Sequence, residues 1–336
     1  MTILERLDEL YAIGGGPGAN RPHGSREEDE AHELAAGWMR EAGLEVEVDG
    51  AGNLVGHAVA RADVWVGSHL DSVPQGGRFD GALGVVAGIE AVARVGSGSV
   101  VAFRGEEVGC VGSRALCGGG DKLPSAFLEL HVEQGPVLAT AGAPLGVVTG
   151  IVGYARGELV VEGRAGHAGT RPMDGRDDAL VAAAGEILRI RDVAAGIDGA
   201  VATVGQLTVE PGGTNVIPGR VRYSVDARAP DEERLAELIA AIGFEPSSPT
   251  GPAPMSPELR SILREEIEGR VLPAVELPSG AGHDAGILAS AGVPSAMLFV
   301  RSLNGGVSHS PDELSSEEDV ALAVEVLTAA LRRIAE

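Results

Sequence analysis

Three apolar runs in this chain end in the same way. "VWVGSHLDS", "SVVAFRGEE" and "AFLELHVEQGP" each begin like the interior of a buried strand and finish in histidine or acid. Between the first and second lies "GALGVVAGIEAVARV", a helix-forming segment rich in small residues. Continuous apolar strands alternating with helices specify an α/β fold with a mainly parallel sheet covered on both faces. Ligands of such sheets collect beyond the carboxyl ends of the strands, and the polar residues fall there.

The flanking segments fit that frame. From Ser25 to about Ala42 a helix is expected, with Ser25 and Glu28 in capping-box positions and Gly43 at its stop. "LEVEVDGAGNLVGHAVA" alternates like strands around an Asp-Gly turn. The middle of the chain differs: "YARGELVVEGRAG", "AVATVGQLTVE" and "GRVRYSVDARAP" read as strands, accompanied by two helices. Residues 150–249 are therefore expected to form a small α+β domain. It is inserted between the two halves, 1–149 and 250–336, of the larger one.

Charge and composition remove several functions. A formal charge of −23 argues against nucleic acid as a partner. Lys122 is the only lysine and no G-x-x-x-x-G-K-[ST] occurs, which excludes a Walker phosphate site. Aromatic residues make up 3%, too few for stacking platforms. No apolar run is long enough for a membrane span, and acid interrupts "MTILERLDEL" before a signal-peptide core develops. A soluble cytoplasmic protein is expected, with Cys110 and Cys117 as idle thiols.

Five of the eight histidines occur in Gly- or Pro-containing motifs: His69, His131, His167, His283 and His309. His23, His32 and His57 lie in helix or strand patterns without evident partners. Any one histidine reads most simply as a hydrogen-bonded structural residue, but several at strand exits beside acids form the ligand set of Zn²⁺ and its neighbours. The acids are Asp80 and the adjacent pair Glu106 and Glu107. Strand neighbours point to opposite faces, so the pair can converge only if Gly105 takes the backbone out of the strand. Two close carboxylates need cationic compensation, which a dinuclear centre supplies. The alternative for the pair is a solvated loop. Asp71, two residues after His69, is placed to orient that imidazole.

Seven stretches carry a resemblance, in order along the chain: "GSHLDSVPQGGRFDGALGVVAGIEA", "VVAFRGEEVG", "ELHVEQGPVL", "PLGVVTGI", "GHAGTRPMDGRDDAL", "GTNVIPGRVRYSVDAR" and "PSGAGHDA…SHSPDE". They resemble the N-carbamoyl-L-amino-acid hydrolase and allantoate amidohydrolase branch of the dinuclear-zinc aminoacylase/carboxypeptidase superfamily. The resemblance implies a sheet domain of zinc-aminopeptidase type with an inserted ferredoxin-like lid and dimerisation domain. It implies two divalent ions per subunit, Zn²⁺ first, with Mn²⁺, Co²⁺ and Ni²⁺ as alternatives. His69, Asp80 and His131 would hold one, Asp80 would bridge, and Glu107 with His309 would hold the other.

Glu106 would then be the general base. His167 would stabilise the oxyanion, and Asn215 with Arg228 would grip a substrate carboxylate. His283 and the backbone at Gly282 would complete the pocket, with Gln134 at the ureido or amide end. A homodimer through the lid is implied, as is a cis Asp80–Gly81 peptide. The alternatives stay open: a turn residue for Asn215, a loop residue for His283, and pairing with Asp226 for Arg228.

The chain also departs from its relatives. The stretch "CVGSRALCGGGDKLPSAFL" is compressed, and "EEVGCVG" replaces the usual "EEG-x-R-F" continuation. The expected activity is hydrolysis of a linear C–N bond in a small carboxylate-bearing substrate. A sister-branch aminoacylase or dipeptidase is the alternative, disfavoured by His131 where those branches use a carboxylate. A non-catalytic scaffold is the third reading.

Overall fold

A computed structural model describes every residue except Asp121 and Ser248, with the backbone alone at Arg61. The chain divides into two compact units, Met1–Ile151 with Ala253–Glu336, and Val152–Pro252.

The first unit is built on a nine-stranded sheet. Ser97–Phe103, Ala60–His69, Ala126–Val132 and Ser295–Val300 lie side by side in parallel. The hairpin Glu45–Val48/Leu54–His57 extends one side antiparallel. On the other side Leu145–Ile151 runs antiparallel to Ser295–Val300, so that late strand sits between two early ones. Every residue of Ala126–Val132 and Ser295–Val300 is buried. Successive side chains enter opposite cores, as the two-residue period of a strand requires. Val100, Ala102, Leu128, Leu130, Ala296 and Leu298 pack into one, with the helices Ala82–Val95 and Glu317–Ala335. Val101, Phe103, Phe127, Met297 and Phe299 pack into the other. The small residues of Ala82–Val95 let that helix lie close to the sheet: a Cβ on Gly84 would come within 2.4 Å of the Leu130 carbonyl.

The helix Arg26–Glu41 starts at Ser25, whose hydroxyl accepts from the Glu28 N–H. Only half of the expected capping box forms. The buried Glu28 carboxylate instead accepts from the N–H groups of Gly24 (2.7 Å) and Gly105 (3.2 Å), so it steadies the turn after Phe103. Two of the histidines whose partners are not evident in the sequence have them: His23 approaches Glu28, and His57 bonds Ser99 (2.7 Å) and Glu47 (3.0 Å).

The second unit is antiparallel. Gly153–Glu162 pairs with Arg220–Ala229 over ten residues, and Leu207–Glu210 and Val201–Thr203 also pair with the latter. Val221, Tyr223, Val225, Ala227 and Ala229 turn inward and share a core with the helices Ala179–Ala195 and Glu232–Ile242. Arg228 and Asp226 alternate with them and share the other face. No described helix is long and apolar enough to cross a membrane.

Candidate metal centre

The three runs read as strand-then-polar deliver their polar residues to one edge of the sheet. His69 ends its strand, and after Leu70 the chain reaches Asp71. Asp80 precedes the helix Ala82–Val95, and Gly81 makes the turn between them at φ +63°. A Cβ at Gly81 would lie 2.4–2.5 Å from the His69 ring, so no other residue fits. Asp80–Gly81 was expected to be cis. Among the described residues the one cis bond is Glu210–Pro211; the positive φ of Gly81 bends the chain instead.

Gly105, also at φ +63°, releases Glu106 and Glu107 from the strand pattern. Asp71 then fixes them. Its carboxylate accepts from the Glu106 N–H and the Glu107 N–H, each at 3.1 Å, and from His69 Nδ1 at 3.3 Å. One buried acid thus orients an imidazole and two neighbouring glutamates.

Two groups of side chains converge, His69–Asp80–His131 and Asp80–Glu107–His309, each with ligand atoms within 4.8 Å of one another. His131 Nε2 lies 3.1 Å from Asp80 Oδ1, and His69 Nε2 lies 3.7 Å from the same oxygen. His309 Nε2 is 3.3 Å from Asp80 Oδ2 and 3.4 Å from Glu107 Oε2. The second nitrogens test whether a metal fits. His69 Nδ1 faces two Asp71 oxygens and His131 Nδ1 faces the Val132 carbonyl at 2.9 Å, so Nδ1 carries the proton in both neutral rings. Their Nε2 lone pairs then point at carboxylate oxygens. His131 Nε2, fully buried, has no aligned hydrogen bond despite its 3.1 Å approach to Asp80. Lone pair against anion is repulsive unless a proton or a metal ion lies between. The donor set fits two divalent ions, with Asp80 common to both.

The field tells the same story. Burial opposes charge on His69, yet Glu106, Asp71 and Asp80 outweigh it and hold the imidazole well above its ordinary pKa. Hydrogen bonding to Asp80, with Glu107 adding to it, lifts His309 to about 9. Burial works to raise Asp80, but His131 and His309 overcome it and hold Asp80 well below the usual range. Burial drives Glu106 well above it, with Asp284, Glu107 and Asp80 adding repulsion. A field that attracts protons this strongly attracts divalent cations too.

The remaining predicted residues are disposed as follows. Gln134, at φ +57°, donates from Nε2 to Asp80 Oδ2 (3.1 Å) and Ser308 Oγ (3.2 Å). His283 packs edge-on to His131, with centroids 4.4 Å apart. The Ser279 hydroxyl donates to the Ala281 carbonyl, so its oxygen accepts from His283 Nε2–H at 3.0 Å. That leaves His283 Nδ1 as a bare acceptor, buried without a hydrogen bond 3.9 Å from Glu106 Oε1. Gly282 is exposed, and a Cβ there would meet nothing within 4 Å.

In the second unit His167 is exposed on the short ribbon it forms with Val216. The Gly169 N–H donates to its Nδ1 at 3.1 Å, which places the proton of the neutral ring on Nε2. Asn215 is exposed, its carbonyl accepting from the Ala168 N–H. Arg228 bonds Asp226 through Nε (2.8 Å) and Nη2 (3.2 Å), the pairing held open as its alternative.

Further buried acids stand behind the site. Glu129 accepts from Ser68 Oγ (2.7 Å) and the Ala285 N–H (2.8 Å). Its signal was present: an acid inside an apolar strand, two residues before His131 and so on the same face. Asp284 accepts from Ser113 Oγ at 2.6 Å, and burial with the Glu129 charge pushes it up to about 8. The guanidinium of Arg21, 1% exposed, donates to the Leu70 carbonyl at 2.7 Å and so pins the segment between His69 and Asp71.

Comparison with known proteins follows the same lines. The sequence pattern of peptidase family M20/M25/M40 matches residues 65–333. The N-carbamoyl-L-amino acid amidohydrolase of Geobacillus stearothermophilus is 38% identical over 394 aligned residues, covering 97% of this chain and 96% of that one. The alignment is longer than the 336 residues here, so segments of the relative have no counterpart. Allantoate deiminase 1 of Glycine max is 31% identical, covering 94% of this chain and 86% of that one. A solved amidase of the hydantoinase/carbamoylase family from Burkholderia multivorans superposes with a TM-score of 0.90 at 30% identity, covering 99% and 97% of the two chains. Aminopeptidase PepT from Bacillus cereus, at 18% identity and a TM-score of 0.73, shares the fold.

Proposed function

The chain belongs to peptidase family M20/M25/M40, and from that premise we propose that it is a metal-dependent amidohydrolase of small, carboxylate-bearing substrates. The bond cleaved is a linear amide or ureido C–N bond. N-carbamoyl-L-amino acids are the first substrate class and allantoate the second, after the names its relatives carry. The observation that carries the reading is the pair of ligand groups sharing Asp80, with Glu106 buried beside them.

We assign His69, Asp80 and His131 to one ion and Asp80, Glu107 and His309 to the other. Two divalent ions there, Zn²⁺ or in its place Mn²⁺, Co²⁺ or Ni²⁺, would lower the pKa of an attacking water and polarise the scissile carbonyl. Glu106 takes the proton of that water and returns it to the leaving nitrogen. Asp71 holds the Glu106 backbone still while the proton moves. His167, protonated on Nε2, donates to the developing oxyanion. His283 Nδ1, an acceptor, takes a hydrogen bond from a ureido or amide N–H, a group the substrate class supplies. Gln134 and the Gly282 backbone contact the same end. Arg228 and Asn215 hold the carboxylate, which must compete with Asp226 for the guanidinium fork.

The metal centre and Glu106 are assigned to the first unit; lid and dimer contact, with the contributions of His167, Asn215 and Arg228, are assigned to the second. A homodimer is expected, and sedimentation giving a monomer at micromolar concentration would count against it. A cytoplasmic location is proposed, and the free thiols of Cys110 and Cys117 suit a reducing compartment.

A substrate panel tests the proposal: N-carbamoyl-L-amino acids, allantoate, N-acyl amino acids and dipeptides, each with the metal-loaded chain. Turnover confined to the first two supports it. Turnover of dipeptides or N-acyl amino acids alone moves the chain to a sister branch. No turnover together with less than one bound ion per chain leaves the scaffold reading.

A further inference from the structure

Two buried carboxylates outside both ligand groups share one pattern of bonding. Asp71 accepts from two consecutive backbone N–H groups, those of Glu106 and Glu107, and engages His69. Glu313, 5% exposed, repeats this on the other side. Its Oε1 accepts from the N–H groups of Phe79 (2.7 Å) and Asp80 (3.0 Å), and its Oε2 accepts from the Ser308 hydroxyl at 2.8 Å. Ser308 immediately precedes His309. One carboxylate therefore ties the loop of Asp80 to the loop of His309, across 233 residues of sequence. The fit is close: a Cβ at Gly77 would fall 2.2–2.3 Å from the Glu313 carboxylate atoms.

The two ligand groups do not depend on this tie equally. His69 and His131 sit on buried strands, each with Nδ1 held. His309 is half-exposed on a loop at positive φ, and the hydroxyl of its neighbour Ser308 is anchored on Glu313.

We propose that Glu313 is a positioning residue that sets the span from Asp80 to His309 and through it the affinity of the Asp80–Glu107–His309 position for its ion. The inference rests on the dinuclear reading above. Residues that orient ligands typically account for about 10–100-fold in metal affinity. That loss is expected at this position, with the His69–Asp80–His131 position changed by no more than about threefold.

Calorimetric titration of Zn²⁺ into the metal-free full chain reads both positions without reference to activity. Wild type should show two binding events. Glu313→Ala should keep the tighter and weaken the other about 10–100-fold. Glu313→Gln keeps an oxygen for the two N–H groups and should recover most of that loss. Gly77→Ala, which presses a methyl group on an intact Glu313, should weaken the same event, so the test survives if the alanine variant fails to fold. Two wild-type affinities in Glu313→Ala, or equal loss in both events with a lowered melting temperature, would overturn the inference. A wild-type chain that takes up fewer than two ions sinks the dinuclear reading, and this inference with it.

Discussion

Glu106 and Glu107 are adjacent and chemically identical, yet their surroundings separate them. Both lose hydration, but Glu107 faces His309 while Glu106 lies between His69 and His283. Burial is the largest influence on Glu106 and keeps its proton affinity high, which suits a group that must take a proton and later give it up. Glu106→Gln removes that capacity and preserves shape. It is expected to bind two ions while losing about 10²–10⁴-fold in kcat; steady-state kinetics with metal analysis checks this, and a variant near the wild-type rate would strip Glu106 of its role. Composition and spacing made this pair visible in the sequence, because acids after a glycine at a strand exit are unusual. Glu129 was marked too, as an acid inside an apolar strand, but Glu313 and Asp284 were not. A buried acid and a solvated one are spelled with the same letter, and only packing distinguishes them.

At the scale of elements, the turns carry the specificity. The strand Ala60–His69 and the helix Ala82–Val95 are joined through a segment that must bring Asp80 under the His69 ring, and Gly81 permits it. Gly81→Ala is expected to lower stability by about 1–3 kcal/mol, from the positive φ and the overlap with His69. Thermal unfolding of the metal-free protein would register it, and an unchanged melting temperature would contradict the stated geometry. The parallel core was legible because its strands are apolar throughout and end in polar residues. Only half of the expected capping box forms because Glu28 has the right spacing for Ser25 but bonds Gly24 and Gly105 instead. Local pattern does not see a partner 77 residues away.

For the molecule as a whole, the raised pKa values point one way. Hydrogen bonding to Asp80 lifts His309 to about 9 from 6.5, so its stabilising effect is complete below about pH 6.5 and lost as pH rises through 9. Burial, with Asp80, raises Glu313 from 4.5 to about 7, and burial with Glu129 raises Asp284 from 3.8 to about 8. These acids hold their protons longer folded than unfolded, so they too favour the fold at low pH and oppose it above those values. Asp71 and Asp80 are lowered, and their contribution fails only in acid. The melting temperature of chelator-treated protein should therefore fall from about pH 6 to about pH 9, and added Zn²⁺ should restore most at the alkaline end, where ligands are free of protons. A flat profile would mean that the acid cluster is relieved in some other way.

The position of Ser295–Val300 between two strands made much earlier has a consequence for how the molecule comes into being. Until that segment leaves the ribosome, Ala126–Val132 and Leu145–Ile151 each face a gap with unpaired backbone, and His309 does not yet exist to meet Asp80. Synthesis thus leaves the Asp80–Glu107–His309 group incomplete until the late segment that carries His309 is made. A nascent chain cut short before residue 300 would be both sticky and without the histidine of the proposed second ion position.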